Sequence, residues 1–368
     1  MADPGATTAP SSLTVYYDQL LSTTLFNYRA EMVDNIFRSS AWLAALKQYG
    51  GIDYQDGGER IQWPLMYEAN STVKSYSGYE TLDTTPQDGM TSAFYEWREI
   101  AGTISISRKE ERQNSGEARL LNLLEKKTMQ AEMSMKQAIN LQLVQGEVSS
   151  ATFVPGNSVK DLNPLGYFIR KAPATDPTSG GNVGNISGST YSWWRPRLVD
   201  MTTGTTQTGH AFGITVDSFR DYKIGLYRLY NYCTRGADGS GPNILLGDQV
   251  SFETYENALD YDKRYYDEDM ASMGFDAIKL KAAKFIWDEL VPDVQSGTTS
   301  LTYGTVFFIN TKFYKLVIDS QTDFVTTPFV EPENQTAKTA KILFMGNAIA
   351  NNLRKLGGAI YINQSILS

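Results

Sequence analysis

The residues best suited to chemistry lie in one acidic, tyrosine-rich run: Asp260, Asp262, Asp267, Glu268 and Asp269, with Tyr261, Tyr265 and Tyr266 among them. Two carboxylates flanking a sugar ring are the machinery of glycoside hydrolysis, and aromatic rings suit the walls of such a cleft. Any solvated acidic loop supplies the same pattern, and Lys263 and Arg264 inside the run read as surface charge compensation. The run is therefore read first as a solvated loop, with a carbohydrate-active or carbohydrate-binding surface as the alternative. The single histidine, His210, sits in Thr208-Gly209-His210-Ala211-Phe212-Gly213 with no nucleophile motif beside it, and is read as structural or exposed, not as a base. One histidine and one cysteine, Cys233, cannot make a Cys/His zinc cluster, a two-histidine site or a disulfide within the subunit. Neither a metal nor any other cofactor is expected. The run from Gly180-Gly181 to Gly188 lacks the lysine and the strand-to-helix setting of a phosphate cradle. Trp193 and Trp194, which could stack on a sugar, are flanked by Arg195 and Arg197 and read as packing an irregular segment or meeting a partner.

The elements that must carry these groups read as an assembly device. Residues 60–65, Arg60-Ile61-Gln62-Trp63-Pro64-Leu65, alternate apolar and polar side chains, and residues 97–107 do the same with Ile100, Ile104 and Ile106. Between these strands lie about thirty residues with almost no core-forming pattern, which predicts a long hairpin that is mobile or held by a neighbouring molecule. Tyr67, Tyr76, Tyr79, Leu82, Met90, Phe94 and Tyr95 are the apolar residues this excursion cannot bury alone, and are its candidate contacts with another subunit. After Asn114-Ser115-Gly116 a helix is predicted to run to Gly146, with Leu121, Leu124, Thr128, Ala131, Met135, Ala138 and Gln142 on one face. Some thirty residues at about 1.5 Å rise make a rod on the order of 45 Å long. No second heptad segment follows, so a spine packed against a sheet is expected in place of a coiled coil.

Residues 1–24 are small and polar and predict a flexible arm, with Tyr16, Tyr17, Leu20 and Leu21 as its candidate contacts. Leu25, Tyr28, Met32, Ile36, Phe37, Trp42, Leu43 and Leu46 then fit one side of a helix, read as an amphipathic core helix or as the arm's anchor on a neighbour. Residues 149–211 are rich in Gly, Ser, Thr, Pro and Asn. A helix is predicted over 217–232, a buried strand over 243–247, and a helix from Asp248 to near Leu259. Strands follow at 275–281, 284–287, 305–309, 337–349 and 358–362, with a turn at 331–335. Strands and helices in no regular βαβ repeat make the class α+β. Cys233, near the end of an aromatic helix, reads as a small packed residue.

At 368 residues and 41% hydrophobic the chain can bury more than one core, so two or three sub-domains are expected. A net charge of -8 argues against a dedicated nucleic-acid binder. There is no membrane-length apolar run, and Met1-Ala2-Asp3-Pro4-Gly5-Ala6 lacks the features of a signal peptide; a soluble protein made in the cytoplasm is expected.

The order of motifs resembles that of the major capsid proteins of tailed bacteriophages, which share the Hong Kong 97 type of shell fold. The residues that carry it are Leu43-Ala44-Ala45-Leu46-Lys47-Gln48-Tyr49-Gly50, Gly57-Gly58-Glu59-Arg60-Ile61-Gln62-Trp63-Pro64-Leu65-Met66-Tyr67 and the strand at 97–107. Asn114-Ser115-Gly116-Glu117-Ala118, Tyr191-Ser192-Trp193-Trp194-Arg195, Asn243-Ile244-Leu245-Leu246-Gly247, Phe285-Ile286-Trp287-Asp288-Glu289 and Thr305-Val306-Phe307-Phe308-Ile309-Asn310 continue it over most of the chain. The resemblance implies an α+β capsid fold with an N-terminal arm and docking helix over 1–58 and an extended loop hairpin over 59–110. It further implies the spine helix of a peripheral domain over 111–150, an axial domain with a Gly/Ser-rich insertion over 151–325, and return strands with the last axial strand over 326–368. The implied role is structural and not enzymatic: pentamers and hexamers in an icosahedral shell around viral double-stranded DNA, enclosed without sequence-specific binding, in the virion after synthesis in the host cytoplasm. Implied partners are further copies of the chain, a separate scaffolding protein, a portal and decoration proteins, with no membrane. Glu331, Pro332, Glu333 and Asn334 match the family's turn at three-fold junctions. Some relatives form a Lys–Asn bond; Lys74 and Asn351, Asn352 or Asn363 have the residue types, but no accompanying carboxylate stands out and no cross-link is expected. The family's larger N-terminal scaffolding segment has no counterpart before the first helix, which implies that either a separate scaffold directs assembly or such a segment was removed before this form. An encapsulin nanocompartment shares the fold and is the alternative shell, disfavoured by the long polar loop and residues 191–195.

Overall fold

The computed structural model describes residues 41–113, 123–145, 160–169, 183–188, 190–201, 212–236, 239–259, 278–291, 294–295, 302–332 and 336–363. Along the chain run α1 (Ala41–Gln48), β1 (Ile52–Gln55), β2 (Ile61–Met66), β3 (Met90–Tyr95), β4 (Arg98–Ser107), α2 (Arg108–Gln113), α3 (Leu123–Val144) and the single turn α4 (Leu165–Phe168). Then come β5 (Arg197–Asp200), β6 (Phe212–Gly213), α5 (Phe219–Thr234), β7 (Ile244–Gly247), α6 (Gln249–Ala258), β8 (Ile278–Leu280), β9 (Ala283–Trp287) and β10 (Val294–Gln295). Last are β11 (Thr302–Ile309), β12 (Tyr314–Asp319), β13 (Val325–Thr326), β14 (Ala337–Ala350) and β15 (Gly357–Asn363).

The larger sheet has the order β6-β5-β15-β11-β7-β9-β8, with β10 on β11. Its central strands are apolar without alternation because both faces are covered. In β7, Ile244 and Leu246 pack into one apolar cluster and Leu245 into the other; in β11, Phe307 and Ile309 are divided from Val306 and Phe308 in the same way. α5 and α6 cover one face through Tyr222, Leu226, Leu229, Phe252 and Tyr255. Both helices begin on side-chain caps: Ser218 accepts from the Asp221 N–H at 3.3 Å, and Asp248 from the Ser251 N–H at 3.1 Å. The second oxygen of Asp248 accepts the Thr305 N–H at 3.1 Å, which ties the start of α6 to β11.

The smaller sheet runs β1-β12-β14-β13, and β4 lies along β14 from Ser107 opposite Ala337 to Arg98 opposite Gly346. α3 packs on β4 at Gly102, where a Cβ would come within 2.9 Å of the Met135 sulfur; the bare backbone lets the helix approach the strand. The buried stripe of α3 is Met135, Ile139, Asn140, Leu143 and Val144. The expected face went from Met135 to Ala138 and Gln142; a one-residue shift after Met135 places the larger apolar side chains inside, where each removes more surface from water. Leu121, the side chain of Leu124 and the expected stop at Gly146 lie outside the described residues, as do Leu25 to Phe37 of the expected docking helix.

The two sheets are joined by aromatic packing and by a polar turn. Trp42 of α1, Tyr314 of β12 and Phe168 of α4 are fully buried, with ring centroids 5.9 Å apart for Trp42–Tyr314 and 5.6 Å for Phe168–Tyr314. Burying each such side chain stabilises the fold by about 1.5–3 kcal/mol. At the turn, Asn310 accepts the Lys312 N–H at 3.1 Å and donates to Gly241 O at 2.8 Å, while the Thr311 hydroxyl donates to Tyr49 O at 2.9 Å. Here the chain leaves the larger sheet, and β12 joins the smaller one.

The expected hairpin between 60–65 and 97–107 does not form. β2 pairs with β3, Ile61 opposite Tyr95 and Met66 opposite Met90, while β4 takes β14. The isoleucine stripe of β4 needs a deep partner and finds it where Ile104 faces Ala340 and Ile100 faces Phe344. In β3 only Ala93 and Tyr95 are buried, a pattern too short to register beside that stripe.

Candidate assembly surfaces

Period-two alternation gives the β2–β3 ribbon an inner face of Ile61, Leu65, Ala93 and Tyr95, and an outer face that leaves Met66, Met90 and Phe94 exposed. The inner face is seated on the body of the molecule. The Tyr95 hydroxyl donates to Ala350 O at 2.6 Å, and the Phe94 N–H to Gly184 O at 3.0 Å. Gly184 has φ +57°, and a Cβ there would lie 2.9 Å from both Ala93 and the Tyr95 hydroxyl, so only glycine fits. Trp194, buried, donates from its indole N–H to Val183 O at 2.9 Å and shapes this seat. Trp193 stacks on Tyr67 with centroids 5.4 Å apart and planes 17° from parallel. Both tryptophans thus pack an irregular segment.

Beyond the ribbon, residues 67–89 form a finger without strand pairing. Tyr67 closes its base, the N–H donating to Gly89 O at 3.0 Å and the hydroxyl to Asp88 O at 2.8 Å. Higher up, the Ser71 hydroxyl donates to the Gln87 side chain at 2.8 Å and Lys74 Nζ to Thr81 O at 3.2 Å. Asn70 and Asp83 each accept from the threonine two residues on, local turns that also hold the Asp83 carboxyl below its usual range. The finger has a shape but no core. Val73, Tyr76, Tyr79 and Leu82 are exposed along it, Tyr79 completely, and Met66 and Met90 are 77% and 72% exposed at its root.

Of the loop residues singled out from the sequence, Tyr76, Tyr79, Leu82, Met90 and Phe94 are therefore at the surface. Tyr95 is corrected: it is 3% exposed, held by its own chain, and unavailable to a neighbour. Tyr67 is half-buried beneath Trp193. Sequence reasoning missed Val73, an apolar residue of the same excursion, and Met66, which the alternation of Ile61 and Leu65 assigns to the outer face. Tyr16, Tyr17, Leu20, Leu21, Glu333 and Asn334 lie outside the described residues. Glu331 is exposed and Pro332 half-buried, and beside them Val325, Phe329 and Val330 make a second exposed apolar patch. A groove of about 480 Å³ runs between β4 and α3, lined by Ile100, Gly102, Ile104, Lys127, Ala131 and Met135. At its rim Lys127 bonds Glu110 at 2.9 Å and Ser105 O at 3.2 Å, and the lysine holds the Glu110 carboxyl below its usual range.

The residues read for chemistry divide similarly. The acidic run at 260–269 and His210 lie outside the described residues. Cys233 is fully buried and burial pushes its thiol up to about 12, which removes it as a nucleophile. Among the described residues no group of His, Cys, Asp and Glu is arranged to hold a metal ion, and no helix is long and apolar enough to cross a membrane. Lys74 is spent within its own finger, and Asn352 caps the turn at Leu353–Lys355 by accepting the Arg354 N–H at 3.2 Å.

No protein-family model and no curated protein matches the sequence. Solved structures do. The cyanophage A-1(L) capsid matches with a TM-score of 0.64 at 14% identity, over 92% of this chain and 97% of that one. The chain has the fold of a tailed-phage capsid protein. The capsid of a native GTA particle, computed with C5 symmetry, shares that capsid fold at a TM-score of 0.56 and 12% identity, over 97% of this chain and 99% of that one. So does the holo-SrpI encapsulin complex from Synechococcus elongatus PCC 7942, at 0.54 and 9%, over 95% of this chain and 96% of that one. Among the described residues, the ribbon's outer face, its finger and the stretch at 325–330 carry most of the exposed large apolar side chains.

Proposed function

We propose that this chain is the structural major capsid protein of a tailed bacteriophage, which assembles as pentamers and hexamers into a closed icosahedral shell around double-stranded DNA. The carrying observation is the finger at 67–89: on a chain with a capsid fold, Val73, Tyr76, Tyr79 and Leu82 form an apolar surface that no described residue of the subunit covers. In this reading residues 59–110 are the extended loop that crosses onto a neighbour. α3 is the spine of a peripheral domain built on the smaller sheet, and the larger sheet with α5 and α6 is the axial domain. Residues 1–58 carry the arm, with Tyr16, Tyr17, Leu20 and Leu21 reaching another subunit, and Glu331 to Asn334 meet at three-fold junctions beside Phe329 and Val330. The role is mechanical and not catalytic. Repetition of modest contacts around closed rings gives the shell its stability. The protein is made in the host cytoplasm and ends in the virion, with a separate scaffold, a portal and decoration proteins as partners.

Electron microscopy with sedimentation tests this reading. The full chain should give closed particles or rings of five and six, with a scaffold where one is needed. Replacing residues 71–87 by a short turn, which spares β2 and β3, should leave a folded subunit that closes no shell. Normal particles from that deletion would sink the proposal. A stable monomer or dimer under every condition would return attention to the acidic run at 260–269 as a carbohydrate surface. The encapsulin match supports a second reading, a cellular nanocompartment; protein cargo in place of DNA inside the particles would establish it.

A further inference from the structure

Four cations converge at the C-terminal end of α5. Arg235 follows its last turn, with the guanidinium 4.1 Å above the Tyr232 ring. Lys355 is buried and donates to Thr234 O and Ser240 O, each at 3.1 Å. Arg197 opens β5 opposite Gly357 of β15, and its backbone N–H donates to Leu356 O at 3.0 Å, which brings the turn carrying Arg354 and Lys355 against it. Lys355 has a structural occupation, since its ammonium satisfies carbonyls at a helix end, where cations are favoured. Among the described residues the arginine side chains have no carbonyl or carboxylate partner, and Arg235 has only the ring of Tyr232. The Nε of Arg197 is buried without a hydrogen-bond partner, and among the described residues no carboxylate pairs with Arg197, Arg235 or Arg354. Burial, and after it the positive charge of Arg354, pull the Arg197 guanidinium below its usual range. In a chain of net charge -8, three guanidinium groups gathered with no carboxylate beside them among the described residues are a cost that a bound anion would offset.

We infer that Arg197, Arg235 and Arg354 form a phosphate-binding cluster, and that its ligand is the phosphodiester backbone of the enclosed nucleic acid. The planar forks of arginine match the paired oxygens of a phosphate, and three of them on separate elements suit an anion that repeats along a backbone. Contact made through phosphate oxygens is independent of base sequence. The identity of the backbone as DNA rests on the capsid reading; the phosphate chemistry of the cluster does not. Arg235 and Arg354 are exposed and provide variants that spare the core.

The test is fluorescence anisotropy of a labelled DNA duplex against the full chain at several salt concentrations, with inorganic tripolyphosphate as competitor. The double variant Arg235→Gln/Arg354→Gln should weaken duplex binding on the order of tenfold or more. It should also lower the slope of log K against log salt by about 1.8, for two lost phosphate contacts. The charge-matched control Lys47→Gln/Lys109→Gln, altering exposed cations elsewhere, should do neither. Tripolyphosphate should displace the duplex from the wild type, and its displacement should weaken in the arginine variant. Equal binding by the arginine variant and the control overturns the inference. So does an arginine variant that binds duplex normally but fails to assemble, which would assign the cluster to a carboxylate of a second copy. If arginine-dependent binding is found in a chain that forms no particle, the capsid reading fails and the phosphate cluster stands.

Discussion

Asp248 shows how much one buried residue contributes and costs. Its carboxylate caps α6 and bonds the Thr305 N–H, yet burial outweighs those bonds and raises its carboxyl above the ordinary range. A carboxyl with a raised folded value binds its proton more tightly folded than unfolded. Its contribution to stability is therefore full below the unfolded value of 3.8 and is lost as pH rises through the folded value. Asp288, which accepts from Leu290 N–H at 3.0 Å and from Asn140 at 3.4 Å, is raised by burial in the same direction. Asp248→Asn removes the titration and keeps one acceptor. In urea denaturation, the stability of the wild type minus that of the variant should fall as pH rises from the unfolded value of 3.8 through the folded value. A difference that grows with pH would mean that the capping bonds dominate instead. Asp248→Ala leaves the Ser251 and Thr305 N–H groups unpaired in the core and should cost about 2–4 kcal/mol at low pH, a cost that shrinks as pH rises through the folded value.

The ribbon of β2 and β3 is the element on which the proposed function turns, because its seat sets the direction of the finger. Gly184→Ala places a methyl group against Ala93 and the Tyr95 hydroxyl at a left-handed φ, and should destabilise by about 2–4 kcal/mol. Limited proteolysis should then cut within 67–89 faster while the larger sheet stays protected; unchanged cleavage would show that the seat does not hold the ribbon. How far the elements were legible follows from how each is buried. β7 was legible as a short apolar run, covered on both faces, β14 was expected over 337–349, close to its full length, and both caps at Ser218 and Asp248 stand where helices begin. The pairing of β4 with β14 was not legible, since it joins residues far apart in the chain and local pattern carries no address. The seat at Gly184 was hidden for a related reason: a glycine inside a Gly/Ser-rich stretch looks like loop, and only its contact with Tyr95 gives it meaning. The finger's exposed tyrosines were legible because nothing near them in sequence offered a core. Tyr95 failed the same test because its partner, Ala350, lies at the other end of the chain.

On the proposed capsid reading, the question at the scale of the whole molecule is which force would bring copies together. Each subunit carries a net charge of -8, and the finger adds to the problem locally, with Glu68, Glu80, Asp83 and Asp88 against Lys74. Like-charged copies repel over a distance set by screening, about 10 Å at 0.1 M salt and about 3 Å at 1 M. The apolar residues of the finger attract by a mechanism that salt does not screen and that excluded salts strengthen. If Val73, Tyr76, Tyr79 and Leu82 drive assembly, raising sodium chloride from about 0.05 M to about 0.5 M should shorten the lag before light scattering rises, because repulsion is screened and attraction is not. If the finger instead lands by its acids on a basic surface of the neighbour, the same change should lengthen the lag or dissolve preformed particles. Tyr79→Ser with Val73→Ser separates the two further. These side chains are exposed, so unfolding should move by no more than about 0.5 kcal/mol, while the salt-driven gain in assembly should be lost. Retention of that gain would remove the apolar finger as the source of shell stability and leave the patch at Val325, Phe329 and Val330 to supply it.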